Sequence, residues 1–164
     1  MIRVEITSEI MSKGRLYLPT PDVTIKNNLK FGYDNERILK GYIGEIVVND
    51  YLVGSERINC YDYDLLYKDF KLEVKTVTRT SKPELSYDFS ITSRMQQNAD
   101  YYICVWLLKD LSAAYILGYI KCKDFNEQSE LIIAGSIINN YKTMSDQRII
   151  KINKLNKFKQ TNNN

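Results

Sequence analysis

Tyr61-Asp62-Tyr63-Asp64-Leu65-Leu66-Tyr67-Lys68-Asp69-Phe70-Lys71-Leu72-Glu73-Val74-Lys75-Thr76-Val77-Thr78-Arg79 is the stretch on which the fold turns. It predicts a β-hairpin, with Asp64 on a first strand, a short polar turn at Lys68-Asp69, and Glu73 and Lys75 on a second strand. Alternate residues of a strand share a face. Glu73, Lys75 and Arg79 are therefore expected to project one way, and Leu72 and Val74 the other, toward a core. A carboxylate and an ammonium two residues apart, facing an aspartate on the neighbouring strand, suit a divalent metal beside a phosphodiester.

Upstream of this stretch the spacing predicts a helix from Asn35 to Leu52. Asp34 or Asn35 is placed to cap it, and Glu36 suits its positive N-terminal end. Ile38, Leu39, Tyr42, Ile43, Ile46 and Val47 recur at helical spacing and form one apolar stripe, with Glu45 at its edge. Gly41 and Gly44 leave room around that carboxylate. Each glycine inside a helix costs roughly 1 kcal/mol relative to alanine, so close packing against a sheet or ligand is expected in return. Gly54 is expected to stop the helix.

Ile2 to Ile6 and Arg15 to Leu18 read as two strands of an N-terminal hairpin around Lys13-Gly14. Ser12 to Pro19 also resembles the swapped-hairpin DNA-binding barrels of some transcription regulators, but lacks the continuation that fold needs. Pro19, Pro21 and Lys26-Asn27-Asn28 read as loop. After the central hairpin, Leu85 to Thr92 reads as a strand, and Ser93 is placed to cap a short helix bearing Arg94, Gln96 and Gln97. Tyr101 to Leu108 is a continuous apolar run, the pattern of a strand buried on both faces. Ala114 to Ile120 is a further strand, Asp124-Phe125 opens a short helix, and Ile149 to Ile152 adds an edge strand. The order implies an α/β or α+β domain with a central mixed sheet flanked by helices. It is expected to span residues 1–155, with 1–35 an N-terminal extension and 156–164 a basic, asparagine-rich flexible tail.

The 164 residues contain no histidine, which excludes Ser-His-Asp and Cys-His catalysis. Cys60, Cys104 and Cys122 are widely spaced without a Cys-x-x-Cys pair, so a structural zinc site is not expected; buried, reduced thiols are. Chemistry must then rest on carboxylates and lysines. A net charge of +3 permits nucleic-acid binding without requiring it. No run has the length of a membrane span and the first residues lack the apolar core of a signal peptide, so a cytoplasmic location is expected.

Four residues converge in this reading: Glu45, Asp64, Glu73 and Lys75. Asp64 and Glu73, with the backbone carbonyl of Val74, offer three hard oxygen ligands for Mg²⁺, and Glu45 can reach the ion directly or through water. Lys75 is placed to hold the attacking water and to offset charge on the phosphate. Asp64, eight intervening residues and Glu73-Val74-Lys75 resemble the motif of the PD-(D/E)XK nuclease superfamily, although Tyr63 stands where that motif has proline. Gly41-Tyr42-Ile43-Gly44-Glu45 resembles the Gly-x-x-Gly-Glu helix that precedes the motif in many members. Gln97-Asn98-Ala99-Asp100-Tyr101-Tyr102 resembles their glutamine-bearing helix and the core strand after it. More narrowly, Tyr61 to Leu66, Glu73 to Thr80 and Ile116 to Ile120 look like a group of small phage-encoded endonuclease-like proteins, which suits the Lys-, Asn- and Ile-rich composition.

The resemblance covers residues 37 to 125 and implies a restriction-endonuclease-like core. It further implies a DNA endonuclease dependent on Mg²⁺, for which Mn²⁺ can substitute, and a homodimer where both strands are cut. Glu45, Asp64, Glu73, Lys75 and Gln97 are its catalytic candidates, while Arg79, Lys82, Arg94 and Gln96 flank the site as candidate DNA contacts. Tyr61, Tyr63, Tyr67 and Tyr87 are either stacking surfaces for bases or ordinary packing residues. A DNA-binding or assembly protein that keeps the nuclease fold without cleaving is the alternative.

Overall fold

The computed structural model describes residues 1–18, 35–58, 60–92, 98–138 and 141–158. A six-stranded mixed sheet runs in the order β1-β7-β6-β4-β3-β2. Its strands are β1 (Ile2–Glu5), β2 (Glu56–Arg57), β3 (Leu65–Tyr67), β4 (Phe70–Arg79), β6 (Tyr101–Leu108) and β7 (Ala113–Lys121). β4 and β6 are parallel, with Glu73 beside Tyr102 and Lys75 beside Cys104. The other neighbouring pairs are antiparallel.

Two helices cover one face, α1 (Ser8–Leu16) and α2 (Asn35–Tyr51). Ile43, Ile46 and Val47 of α2 pack on Leu72, Val74, Ile103 and Val105, so the apolar stripe read from the sequence is the buried one. Contact is closest at Gly44, where a Cβ would stand 1.9 Å from the Thr76 hydroxyl oxygen. That approach offsets the cost of a glycine inside the helix. A Cβ at Gly41 would meet nothing within 4 Å. The chain leaves the helix through Gly54 at φ +87°, a conformation that strains an L side chain.

The opposite face is covered by a three-stranded antiparallel sheet and α3 (Cys122–Gln128). This second sheet has the order β5-β11-β8, formed by β5 (Asp88–Thr92), β11 (Gln147–Lys151) and β8 (Glu130–Ile132). Phe89, Ile91, Phe125 and Ile150 pack on Tyr102, Cys104, Trp106 and Leu117. β6 is thus buried on both faces, as its unbroken apolar run predicts. A ribbon of β9 (Ile137–Ile138) and β10 (Tyr141–Lys142) follows β8. The molecule is α+β, a mixed sheet held between a helical layer and a second sheet.

Several sequence expectations change. The N-terminal hairpin does not form: β1 pairs instead with β7, and the predicted turn and second strand lie within or beside α1. Thr7 caps that helix, its hydroxyl accepting the Ile10 N–H at 3.3 Å. Gly14, read as a turn signal, is buried inside the helix against Leu39 and Ile43. The strand near Ile149 is the middle strand of the second sheet rather than an edge, because it finds partners in both β5 and β8. The start of the supposed tail is also structured, with Asn156 bridged to Tyr119 and Phe158 against Tyr51 and Tyr119. The loop expected near Pro19 to Asn28, the helix of Ser93 to Gln97 and the tail from Lys159 lie outside the described residues.

Candidate functional site

β3 and β4 are joined by Lys68 and Asp69 at φ 48° and 67°. Two consecutive positive φ values give the turn whose twist matches that of a hairpin. The ladder ends at Leu65 opposite Leu72. Asp64 precedes the first strand rather than lying within it, but remains tied to the sheet. Its N–H donates to the Leu72 carbonyl at 3.0 Å and its carbonyl accepts the Ile58 N–H at 2.8 Å. Beyond Leu72, β3 pairs with no further residue of β4, and the Asp64 carboxylate occupies the resulting notch. Its Oδ2 accepts the Val74 N–H at 2.8 Å. In an extended strand the N–H and C=O of one residue point to the same side, so the Val74 carbonyl faces the same notch.

Glu73 and Lys75 leave β4 on the face opposite α2, as strand alternation predicts. Glu73 is only 5 % exposed. Lys75 Nζ stands 2.6 Å from its Oε1 and 5.9 Å from the centre of the Tyr102 ring. A buried carboxylate needs such a partner to remain charged.

Glu45 approaches from the helical layer, one residue after the Gly44 contact, and is buried. Sequence reading missed its partner. Arg57 on β2 donates from Nε to Glu45 Oε2 at 3.1 Å, and its Nη2 forms an ion pair with the same oxygen at 2.9 Å. The same guanidinium carbon lies 4.0 Å from the centre of the Tyr17 ring and 5.2 Å from that of Tyr42. No local pattern announces this pair, because it joins a helix to a two-residue strand across a loop. One carboxylate oxygen of Glu45, Oε2, is therefore engaged by the protein itself.

The carboxylates act on one another. Burial, followed by the charges of Glu45 and Glu73, pushes Asp64 up to about 8 against the opposing Val74 N–H and Lys75. Burial also raises Glu45, although Arg57 opposes it. Burial and the neighbouring negative charges both favour the protonated form of these carboxyls. No three Asp, Glu or Cys side chains converge as a ligand set among the described residues. Asp64, Glu73 and the Val74 carbonyl are the donors that suit an ion at the notch, with water completing its shell.

Arg79 and Lys82 lie at and just beyond the end of β4, both exposed. Arg79 borders a cleft of about 820 Å³ whose walls also include Ser81, Tyr87, Ser90, Gln147 and Lys151. Arg94, Gln96 and Gln97 lie outside the described residues. Of the tyrosines considered for stacking, Tyr61 is exposed and Tyr63 faces Lys71 at 5.6 Å. Tyr67 borders an aromatic cavity of about 590 Å³ that shares no residue with the acidic notch, and Tyr87 stacks on Trp106. All three cysteines are free, but Cys60 is exposed rather than buried. No described helix is long and apolar enough to cross a membrane. No protein-family model matches the chain, and no curated protein matches it in sequence.

Proposed function

We propose that the chain is a DNA endonuclease dependent on Mg²⁺ or Mn²⁺, with the restriction-endonuclease-like core of the PD-(D/E)XK superfamily. The observation that carries this reading is the 2.8 Å hydrogen bond from the Val74 N–H to Asp64. It brings the aspartate of the motif onto the backbone of the Glu73-Val74-Lys75 strand at the point where β3 stops pairing. The parallel β4–β6 pair within a mixed sheet, and the helix that places Glu45 close enough to act on Asp64, support the core assignment.

Asp64, Glu73 and the Val74 carbonyl would hold the ion in this reading. Bound there, it would acidify a water and offset charge gathering on the phosphate. Lys75 donates from its ammonium to the attacking water and to a nearby phosphate oxygen, while Glu73 anchors that ammonium at 2.6 Å. The water gives up a proton to solvent as it attacks phosphorus in line, the opposite P–O bond breaks, and the departing oxygen takes a proton from solvent. The cleft bordered by Arg79 continues the β4 path and suits the flanking polynucleotide backbone.

A cleavage panel of linear duplex, supercoiled plasmid, single strand, flap and four-way junction tests the proposal. Cleavage of any member with Mg²⁺ or Mn²⁺, abolished by EDTA, is the expected result. Binding without cleavage of any member in either metal would instead assign a nucleic-acid-binding or assembly protein.

A further inference from the structure

The aromatic cavity of about 590 Å³ lies on the helical side of the main sheet and takes no part in the proposed cleavage chemistry. Six of the ten described residues that line it are aromatic: Tyr51, Tyr67, Phe70, Tyr101, Tyr119 and Phe158. None of the six is fully buried, and Phe70 is 48 % exposed. Tyr101 meets Phe70 at 90° and Tyr119 at 71°, so these rings wall the space edge to face instead of stacking on one another and closing it.

The chemistry of the walls and rim defines an occupant. Ring faces suit a flat, π-rich group. Four of the six rings carry a phenol hydroxyl, which suits polar ring edges and is not what a lipid chain requires. Cations stand at the rim. Lys68 Nζ lies 5.1 Å from the centre of the Tyr67 ring, and exposed Lys121 is the register partner of Tyr101, so it emerges on the same face. No charged side chain is among the described lining residues. The cavity also adjoins the notch, because Leu72 forms part of its wall, directly precedes Glu73 and accepts the Asp64 N–H through its carbonyl. We propose that the cavity holds an unpaired nucleobase of the DNA, with Lys68 and Lys121 on the adjoining phosphates. Substrates that expose such a base, whether single strand, flap or junction, are then bound in preference to fully paired duplex. This inference rests on the nuclease reading for the identity of the polymer, but its test requires no cleavage.

Fluorescence anisotropy in EDTA compares labelled oligothymidine with a blunt duplex of equal length. Phe70→Ala and Tyr67→Ala are each expected to weaken single-strand binding at least about fivefold through loss of a stacking surface, and duplex binding by less than about twofold. Phe70→Trp, which keeps a ring, should restore single-strand binding. Photocrosslinking of 5-iodouracil oligonucleotides to the wild type should mark Phe70, Tyr101 or Tyr119, a readout that does not depend on any variant folding. Crosslinks confined to other residues, or folded Phe70→Ala and Tyr67→Ala with wild-type single-strand affinity, would overturn the inference alone. Loss of a dimer in sedimentation velocity on Phe70→Ala, with oligothymidine binding intact, would also overturn it and assign the cavity to a second copy of the chain. A wild type that binds neither oligonucleotide would overturn both the inference and the nuclease reading.

Discussion

Asp64 is the residue at which stability and proposed chemistry oppose each other. In the metal-free protein its carboxyl is held up to about 8 by burial and by Glu45 and Glu73, against about 4 for an ordinary aspartate. Between those values the folded form keeps a proton that the unfolded form has lost, so its contribution to stability falls as pH rises and levels off above about 8. The raised Glu45 acts in the same direction. Metal-free protein is therefore expected to melt at a higher temperature at pH 6 than at pH 8.5, with a smaller difference in Asp64→Asn. Differential scanning calorimetry in EDTA checks this. An equal or steeper loss in Asp64→Asn would show that other groups govern the pH dependence.

At the scale of elements, the site depends on how closely α2 can approach β4. Gly44→Ala would set a methyl group against the Thr76 hydroxyl and is expected to cost about 1–3 kcal/mol. Combining it with Thr76→Ala should recover part of that loss, since the hydroxyl forms the tightest contact. Urea denaturation of the single and double variants measures both effects. The elements legible in the sequence share a physical feature: each buries a regular stripe or continuous run. Ile43, Ile46 and Val47 mark α2 in this way, and Tyr101 to Leu108 marks β6. The shared face of Glu73 and Lys75 was legible through strand alternation, whereas Asp64, expected on the first strand, precedes it. β1 was misassigned a partner because its true neighbour, β7, lies more than a hundred residues away. Gly14 suggested a turn, but the Thr7 cap and packing against α2 make it helical. Arg57 left no periodic trace, since its role arises only when α2, β2 and Tyr17 meet.

Across the whole molecule, the two cores divide the work. The helical side sets Glu45 and the Asp64 notch, while the second sheet supports the face of Glu73 and Lys75 and helps form the cleft by Arg79. If that cleft carries the polynucleotide, Arg79→Ala should weaken duplex binding and reduce the slope of log affinity against log salt by roughly 1. Fluorescence anisotropy across a salt series, in Ca²⁺ or EDTA, measures this without turnover. An unchanged slope would exclude Arg79 from phosphate contact. The central claim concerns the notch itself, and nicking of supercoiled plasmid in Mg²⁺ or Mn²⁺ tests it most directly. The wild type should nick, whereas folded Asp64→Asn, Glu73→Gln and Lys75→Met should each lose at least about a hundredfold in rate. Robust nicking in EDTA, or wild-type activity in Lys75→Met, would contradict the claim.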